Sequence, residues 1–341
     1  MENNQNKKIA LTGVKPTGVP HIGNYFGAIK PAIELSRNSE YQSYYFIADY
    51  HALNFIKTKQ ELQDYTRQIA CTWLACGLDP KKVVFFKQSD ITEVTELNWL
   101  LNNVTSKGLM NRAHAYKALV DKSVAEGGDP DALVNMGLYC YPILMAADIL
   151  LYSSKYVPVG QDQKQHVEMA RDIAKAFNKR YGYTFVMPEP LITPEVATIV
   201  GTDGRKMSKS YGNTIPLFCE SAKLKKLIAG IVTDSTPPDQ PKSTNCALFS
   251  LYKLFASPQQ AEQMAAKYAK GISWADAKAE LYNLAESVLA PMREKYNYYI
   301  EHYSEVEKIL ADGAKKARKI AKETISRARA NIGLNIDNLK N

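Results

Sequence analysis

Residues 12–30 read TGVKPTGVPHIGNYFGAIK, with glycines at 13, 18, 23 and 27. An apolar run at 9–12 leads into this stretch, and a helix-like pattern over 23–38 leads out of it. A strand that enters a helix through a glycine-rich turn offers backbone N–H groups and the positive end of a helix dipole, which suits an anion. The spacing fits neither GxGxxG nor GxxxxGK[ST], so the common dinucleotide and P-loop readings lose ground. His21 and Asn24 fall on the turn, with side chains able to donate to a phosphate. Taken alone, the stretch also reads as a plain connector.

Working outward, strand-like runs recur at 9–12, 44–48, 83–86 and 156–159. Each precedes a helix-like segment, at 23–38, 60–76, 93–103 and 161–178. Strands alternating with helices predict βαβ units, hence an α/β fold with a Rossmann-like parallel sheet. Ligands of such sheets sit beyond the carboxyl ends of the strands, near the switch point. Residues 13–24, 49–51 and 160–163 fall at those ends and are expected to converge. From residue 218 onward helical patterns dominate, at 258–270, 275–310 and 313–331, with a proline-rich loop at 234–245. The expected division is a catalytic domain over 1–217 and an all-helical domain over 218–341. In the last helix Ala317, Ala321, Thr324 and Ala328 form one small-residue face. Lys315, Lys316, Lys319, Lys322, Arg327 and Arg329 occupy much of the rest, which predicts a packed helix with a basic outer face.

The chain has 341 residues and a net charge of +8. Residues 201–341 hold 22 lysines and arginines against 15 acidic residues, so most of the excess lies in the second part. That asymmetry fits a polyanionic partner, and equally a merely soluble surface. Five cysteines at 71, 76, 140, 219 and 246 form no CxxC pair, which argues against a zinc site or a disulfide framework. Free thiols and a polar start, MENNQNKKIALTG, predict a cytoplasmic protein. The most apolar stretch, 138–152, is too short to span a bilayer and contains Asp148.

Two further segments carry chemistry. GRKMSKSYGN (204–213) places Lys206 and Lys209 in a loop, with Gly201, Gly204 and Gly212 around them. By itself it reads as a solvated basic loop or as a phosphate clamp. In YCYPILMAADILLYSSKYVPVGQDQKQHVEMARDIAKAFN (139–178), Tyr141, Met145, Asp148 and Tyr152 share one helix face. A carboxylate on an apolar face is costly unless a group donates to it. An indole N–H would serve, and so would a structural Lys or Arg partner.

HIGN (21–24) resembles the HIGH signature of class I aminoacyl-tRNA synthetases, in a variant ending in Asn, and KMSKS (206–210) matches the second signature of that class. The stretch MAADILLY followed by VPVGQDQKQH, together with FIADYHALN (46–54) and DGAKKARKIAKETISRARANIGL (312–334), is similar to the bacterial-type tryptophanyl-tRNA synthetases over most of the chain. Tyrosine-specific relatives usually carry Gln three residues before the equivalent Asp, where this chain has Met145.

The resemblance implies activation of L-tryptophan by ATP with Mg2+, then transfer to tRNA(Trp). It implies a homodimer, with an inserted segment at about 88–150 forming the contact, and an anticodon-binding role for residues 218–341. His21, Asn24, Lys206 and Lys209 would be catalytic. ATP would lie along Lys15, Pro16, Thr17, Gly23, Gly160, Gln161, Asp162, Met207, Ser208 and Ser210. Asp148 would accept the indole N–H, Tyr141 and Gln163 would orient the amino group, and His51, Met145, Val157 and Val159 would line the ring. Two features depart from the family. Lys15 stands where Gln is frequent, and the third catalytic lysine falls on Lys122 in VDKS, with Lys117 as its rival. Cys219 and Cys246 alone are too few for the iron–sulfur cluster of some members.

Overall fold

Alternate side chains of the strands point to opposite faces, and both faces of this sheet are apolar, which commits it to a buried, parallel arrangement. The computed structural model describes residues 8–160, 163–192 and 199–334. Its strands are β1 (Lys8–Val14), β2 (Tyr41–Ile47), β3 (Val84–Lys87), β4 (Tyr156–Val159) and β5 (Glu189–Ile192). They form one parallel sheet in the order β3-β2-β1-β4-β5. The order reverses between β1 and β4, which puts the ligand crevice at their carboxyl ends. The sequence reading missed β5, whose four residues contain a proline and, among the described residues, pair only with β4.

Helix α1 (Ile22–Asn24) runs through a π-helical turn (Tyr25–Ile29) into α2 (Lys30–Ser36), where the sequence predicts one helix. Further along come α3 (Asp49–Ala52), α4 (Lys59–Ala75), α5 (Glu93–Asn102), α6 (Lys107–Met110), α7 (His114–Ala125), α8 (Met136–Leu151) and α9 (Lys164–Tyr181). The remaining helices are α10 (Ser221–Ala229), α11 (Ala247–Phe255), α12 (Pro258–Lys270), α13 (Trp274–Glu301) and α14 (Tyr303–Ile332). Tyr45, Ile47 and Phe85 face one core with Ile69 and Trp73 of α4, a core that continues to Leu281 and Leu289 of α13. Tyr44, Phe46 and Phe86 face the other, with α8, α9 and the small face of α14. Among the described residues, no helix is long and apolar enough to cross a membrane.

The break expected near 310–313 lies instead at His302, whose amide bonds the Tyr298 carbonyl at 2.8 Å as α13 ends. Gly313 is interior to α14, and its missing Cβ is what lets the helix lie against edge strand β3. A Cβ there would stand 1.8 Å from the Phe85 carbonyl oxygen. The edge is thereby covered. Ala317, Ala321, Thr324 and Ala328 are buried as expected. The basic outer face is narrower than the sequence suggests. Arg329 is held by Glu96, and Arg327 donates to the Thr184 carbonyl at 2.9 Å, so both act as anchors. Gly313→Ala is expected to destabilise the fold by about 3 kcal/mol, at the upper end for overpacking, read as a lower urea midpoint.

Candidate active site

At the end of β1 the chain turns into α1 over the crevice. The Ile22 amide is taken by the Ile215 carbonyl at 3.0 Å, and the amides of Asn24 and Tyr25 by the His21 carbonyl. Asn24 Oδ1 accepts the His21 amide at 3.0 Å, so Asn24 holds the turn as well as facing it. Gly23 is required by close approach, since a Cβ would meet His21 Nδ1 at 2.8 Å and Met207 Sδ at 3.3 Å. The Leu217 amide donates to the Pro20 carbonyl at 3.0 Å, so the chain beyond the KMSKS segment is laced to the first signature.

That lacing brings the two signatures together. Lys209 Nζ donates to the Thr17 carbonyl at 3.0 Å. Gly18, at φ +106°, admits the lysine, because a Cβ would come within 2.9 Å of Nζ. Burial lowers the Lys209 ammonium from its ordinary value. Asn213 organises the loop: its Oδ1 accepts the Ser208 amide at 2.8 Å, and its Nδ2 donates to Asp203 at 2.7 Å and the Lys206 carbonyl at 3.1 Å. Gly201 packs so closely on Asn213 that a Cβ would fall 2.4 Å from it. The glycine at 201 therefore fixes the loop. Ser208 and Ser210 hydroxyls bond at 2.8 Å, and Met207 is buried under the turn.

His21 is buried, and that burial, followed by the Lys209 charge, lowers its imidazole to about 4. The ring is neutral at pH 7 and acts as a neutral donor or acceptor. The unfolded chain takes up this proton near pH 6.5 and the folded chain resists it down to about 4. Stability from this group is therefore full above that window and is lost as pH falls through it. A His21 titration followed by NMR is expected below pH 5, and to move upward in Lys209→Ala.

The second cluster centres on Asp148, on α8. Its carboxylate is buried and its pKa is raised, first by burial. Gln88 Nε2 donates to both oxygens at 2.9 Å, and His51 Nε2 lies 3.0 Å from Oδ2. No Lys or Arg pairs with it among the described residues. His51 comes from α3, just past β2, and meets the Tyr141 ring edge-on at 6.3 Å. Sequence reasoning missed Gln88, which follows β3 and also accepts the Tyr50 amide at 3.1 Å. It also missed His166, whose Nε2 lies 2.6 Å from the Tyr141 hydroxyl. The one sequence signal for Gln88 is its place at a strand's carboxyl end.

Val157 is buried in this region, and Met145 and Val159 are half-buried. Tyr152 leaves the shared face for the core, against Tyr44 and Phe86. Pro16 and Thr17 lie on the turn, where Lys15 Nζ sits 5.0 Å over the Phe55 ring. Gly160 ends the β4 segment, and Gln163 caps α9, its amide bonding the Gly160 carbonyl at 3.0 Å. Gln161 and Asp162 lie outside the described residues. Lys122 and Lys117 stand exposed on α7, with Lys122 3.8 Å from Glu126. Among the described residues neither bonds to the signature turns.

The doubly wound sheet and the two interlocked signature turns define a class I aminoacyl-tRNA synthetase. Residues 3–290 match the family described as tRNA synthetases class I (W and Y), and the chain belongs to that family. It is 52% identical over 328 residues to a tryptophan–tRNA ligase of Pseudomonas aeruginosa, covering 95% of this chain and 73% of that one. A tryptophan–tRNA ligase of Neisseria meningitidis is 48% identical, covering 96% and 98%. The crystal structure of tryptophanyl-tRNA synthetase from Campylobacter jejuni, complexed with ADP and tryptophan, matches with a TM-score of 0.87 and 45% identity, covering 95% of this chain and 99% of that one. A tyrosyl-tRNA synthetase from Aeropyrum pernix shares the fold alone, with a TM-score of 0.64 and 17% identity.

Proposed function

We propose that this protein is a tryptophan–tRNA ligase, acting with ATP and L-tryptophan. The observation that carries the specificity is the hydrogen-bond count at Asp148. An ionised carboxylate offers about four acceptor positions. Gln88 and His51 take three, leaving one on Oδ1. An indole N–H fills it, while the half-buried Met145 and Val159 suit a flat ring.

In the first step the tryptophan carboxylate attacks the α-phosphate of ATP and pyrophosphate leaves. The negative charge that develops is met from one side by neutral His21 and the Asn24 side-chain NH2. Lys206 and Lys209 meet it from the other side. Positioning and electrostatics dominate, and no protein base is needed. Mg2+ carried by the ATP phosphates would supply a counter-charge that spreads part of theirs. Among the described residues there is no cluster of three or more His, Cys, Asp or Glu to hold a resident metal. In the second step the 3′-terminal ribose of tRNA(Trp) takes the aminoacyl group.

The helices of 218–334, with their excess of cations, are assigned to the tRNA, and the segment 88–150 to a homodimer contact. Trp99 and Met136 in that segment are 68% and 70% exposed, which supports an apolar partner surface. A cytoplasmic location fits the free cysteines. The direct test is charging of tRNA with labelled tryptophan, ATP and Mg2+. Charging is expected, with tRNA affinity that falls as salt rises. Charging with tyrosine in place of tryptophan would overturn the specificity.

A further inference from the structure

A cleft lies at the opposite end of the sheet from the active site, where β1, β2 and β3 begin. One wall is α14, and its volume is about 880 Å³, within the range of small-ligand pockets. At about 3.3 Å per residue, Ile9 in the cleft and Val14 at the crevice are roughly 17 Å apart. Among the described residues Arg37, Lys81, Lys82, Lys316 and Lys319 line the cleft, against one carboxylate, Glu323. All five cations are exposed, and none forms an ion pair with a described residue. They come from three segments: the end of α2, the turn before β3, and α14. On α14 Lys316, Lys319 and Glu323 lie at i, i+3 and i+7 and so share one face. Five cations around a hollow with one carboxylate among its described residues repel one another unless an anion is bound. Tyr41 and Tyr44 also line the cleft, Tyr41 half-buried and edge-on to Tyr156 at 5.8 Å.

We propose that this cleft binds a small ligand carrying a run of phosphates, either an inorganic oligophosphate or a nucleoside polyphosphate, separately from the ATP of the active site. The cations surround a concavity from three sides. An RNA backbone, with its charges spaced along a strand, calls for a track instead. Tyr41 provides a ring on which a base can stack. Because the cleft is walled by α14 and the sheet together, its occupant ties the C-terminal helix to the catalytic sheet.

The test is calorimetric titration with tripolyphosphate, without Mg2+, at about 0.15 M salt. The active site is first filled with ADP and tryptophan. The protein is expected to bind one ligand per chain. Lys81→Glu/Lys82→Glu and Lys316→Glu/Lys319→Glu are expected to weaken binding at least about tenfold, with tryptophan-dependent pyrophosphate exchange unchanged. Guanosine 5′-tetraphosphate is the second probe. Tighter binding than an inorganic chain of equal length, removed by Tyr41→Ala, supports the nucleoside form, and equal binding supports the inorganic one. Absence of saturable binding, or variants that bind like the parent protein, would overturn the proposal. So would loss of tRNA affinity in the variants when neither phosphate probe binds.

Discussion

Asp148→Ala is expected to lower kcat/KM for tryptophan in ATP–pyrophosphate exchange by at least about 10³-fold. Sites built around a buried donor–acceptor pair discriminate strongly because each partner left unpaired bears its full desolvation cost. With the indole assigned to Asp148, the alanine would strand three donors at once: the indole N–H beside Gln88 Nε2 and His51 Nε2, which bond the carboxylate. Asp148→Asn keeps the shape and one acceptor oxygen but presents an NH2 group to two existing donors. It is expected to fall between the two, with the fold retained by circular dichroism. Gln88→Ala separates positioning from binding. It leaves the indole partner in place but frees the carboxylate to rotate, so KM for tryptophan is expected to rise more than kcat falls. Equal activity of Asp148→Ala and the parent protein would remove the indole assignment.

Lys209→Ala is expected to lower kcat for exchange by roughly 10²–10³, the usual cost of losing one preorganised contact to developing charge. The KM for tryptophan should change little, because Lys209 touches the first turn and not the Asp148 cluster. Its bond to the Thr17 carbonyl places the ammonium over the turn, where the leaving pyrophosphate is assigned. ATP has to draw that ammonium from a carbonyl to a phosphate, a favourable exchange of a neutral acceptor for a charged one. Single-turnover kinetics would locate the loss in the chemical step. A defect confined to ATP binding would contradict the assignment.

The sheet was legible because strands and helices alternate with clear turn punctuation, and four of five strands fall close to where the pattern places them. β5 was not, since four residues with a proline carry no alternation to read. The signatures were legible as motifs, while the bond from Lys209 to Thr17 depends on residues 192 positions apart. Gln88 carried no motif; its role arises when β3 and α8 bring it to Asp148, 60 positions away. Asn213 and Gly313 matter through contacts that only the folded backbone creates. The basic face of α14 was read from charge alone, which does not reveal that Arg327 and Arg329 are anchored to the body.

The measurement that comes first is amino-acid-dependent ATP–pyrophosphate exchange, with tryptophan and tyrosine compared side by side. Exchange with tryptophan alone, abolished in Asp148→Ala, is the expected result. Exchange with tyrosine, or with neither amino acid, would contradict the assignment of the pocket around Asp148.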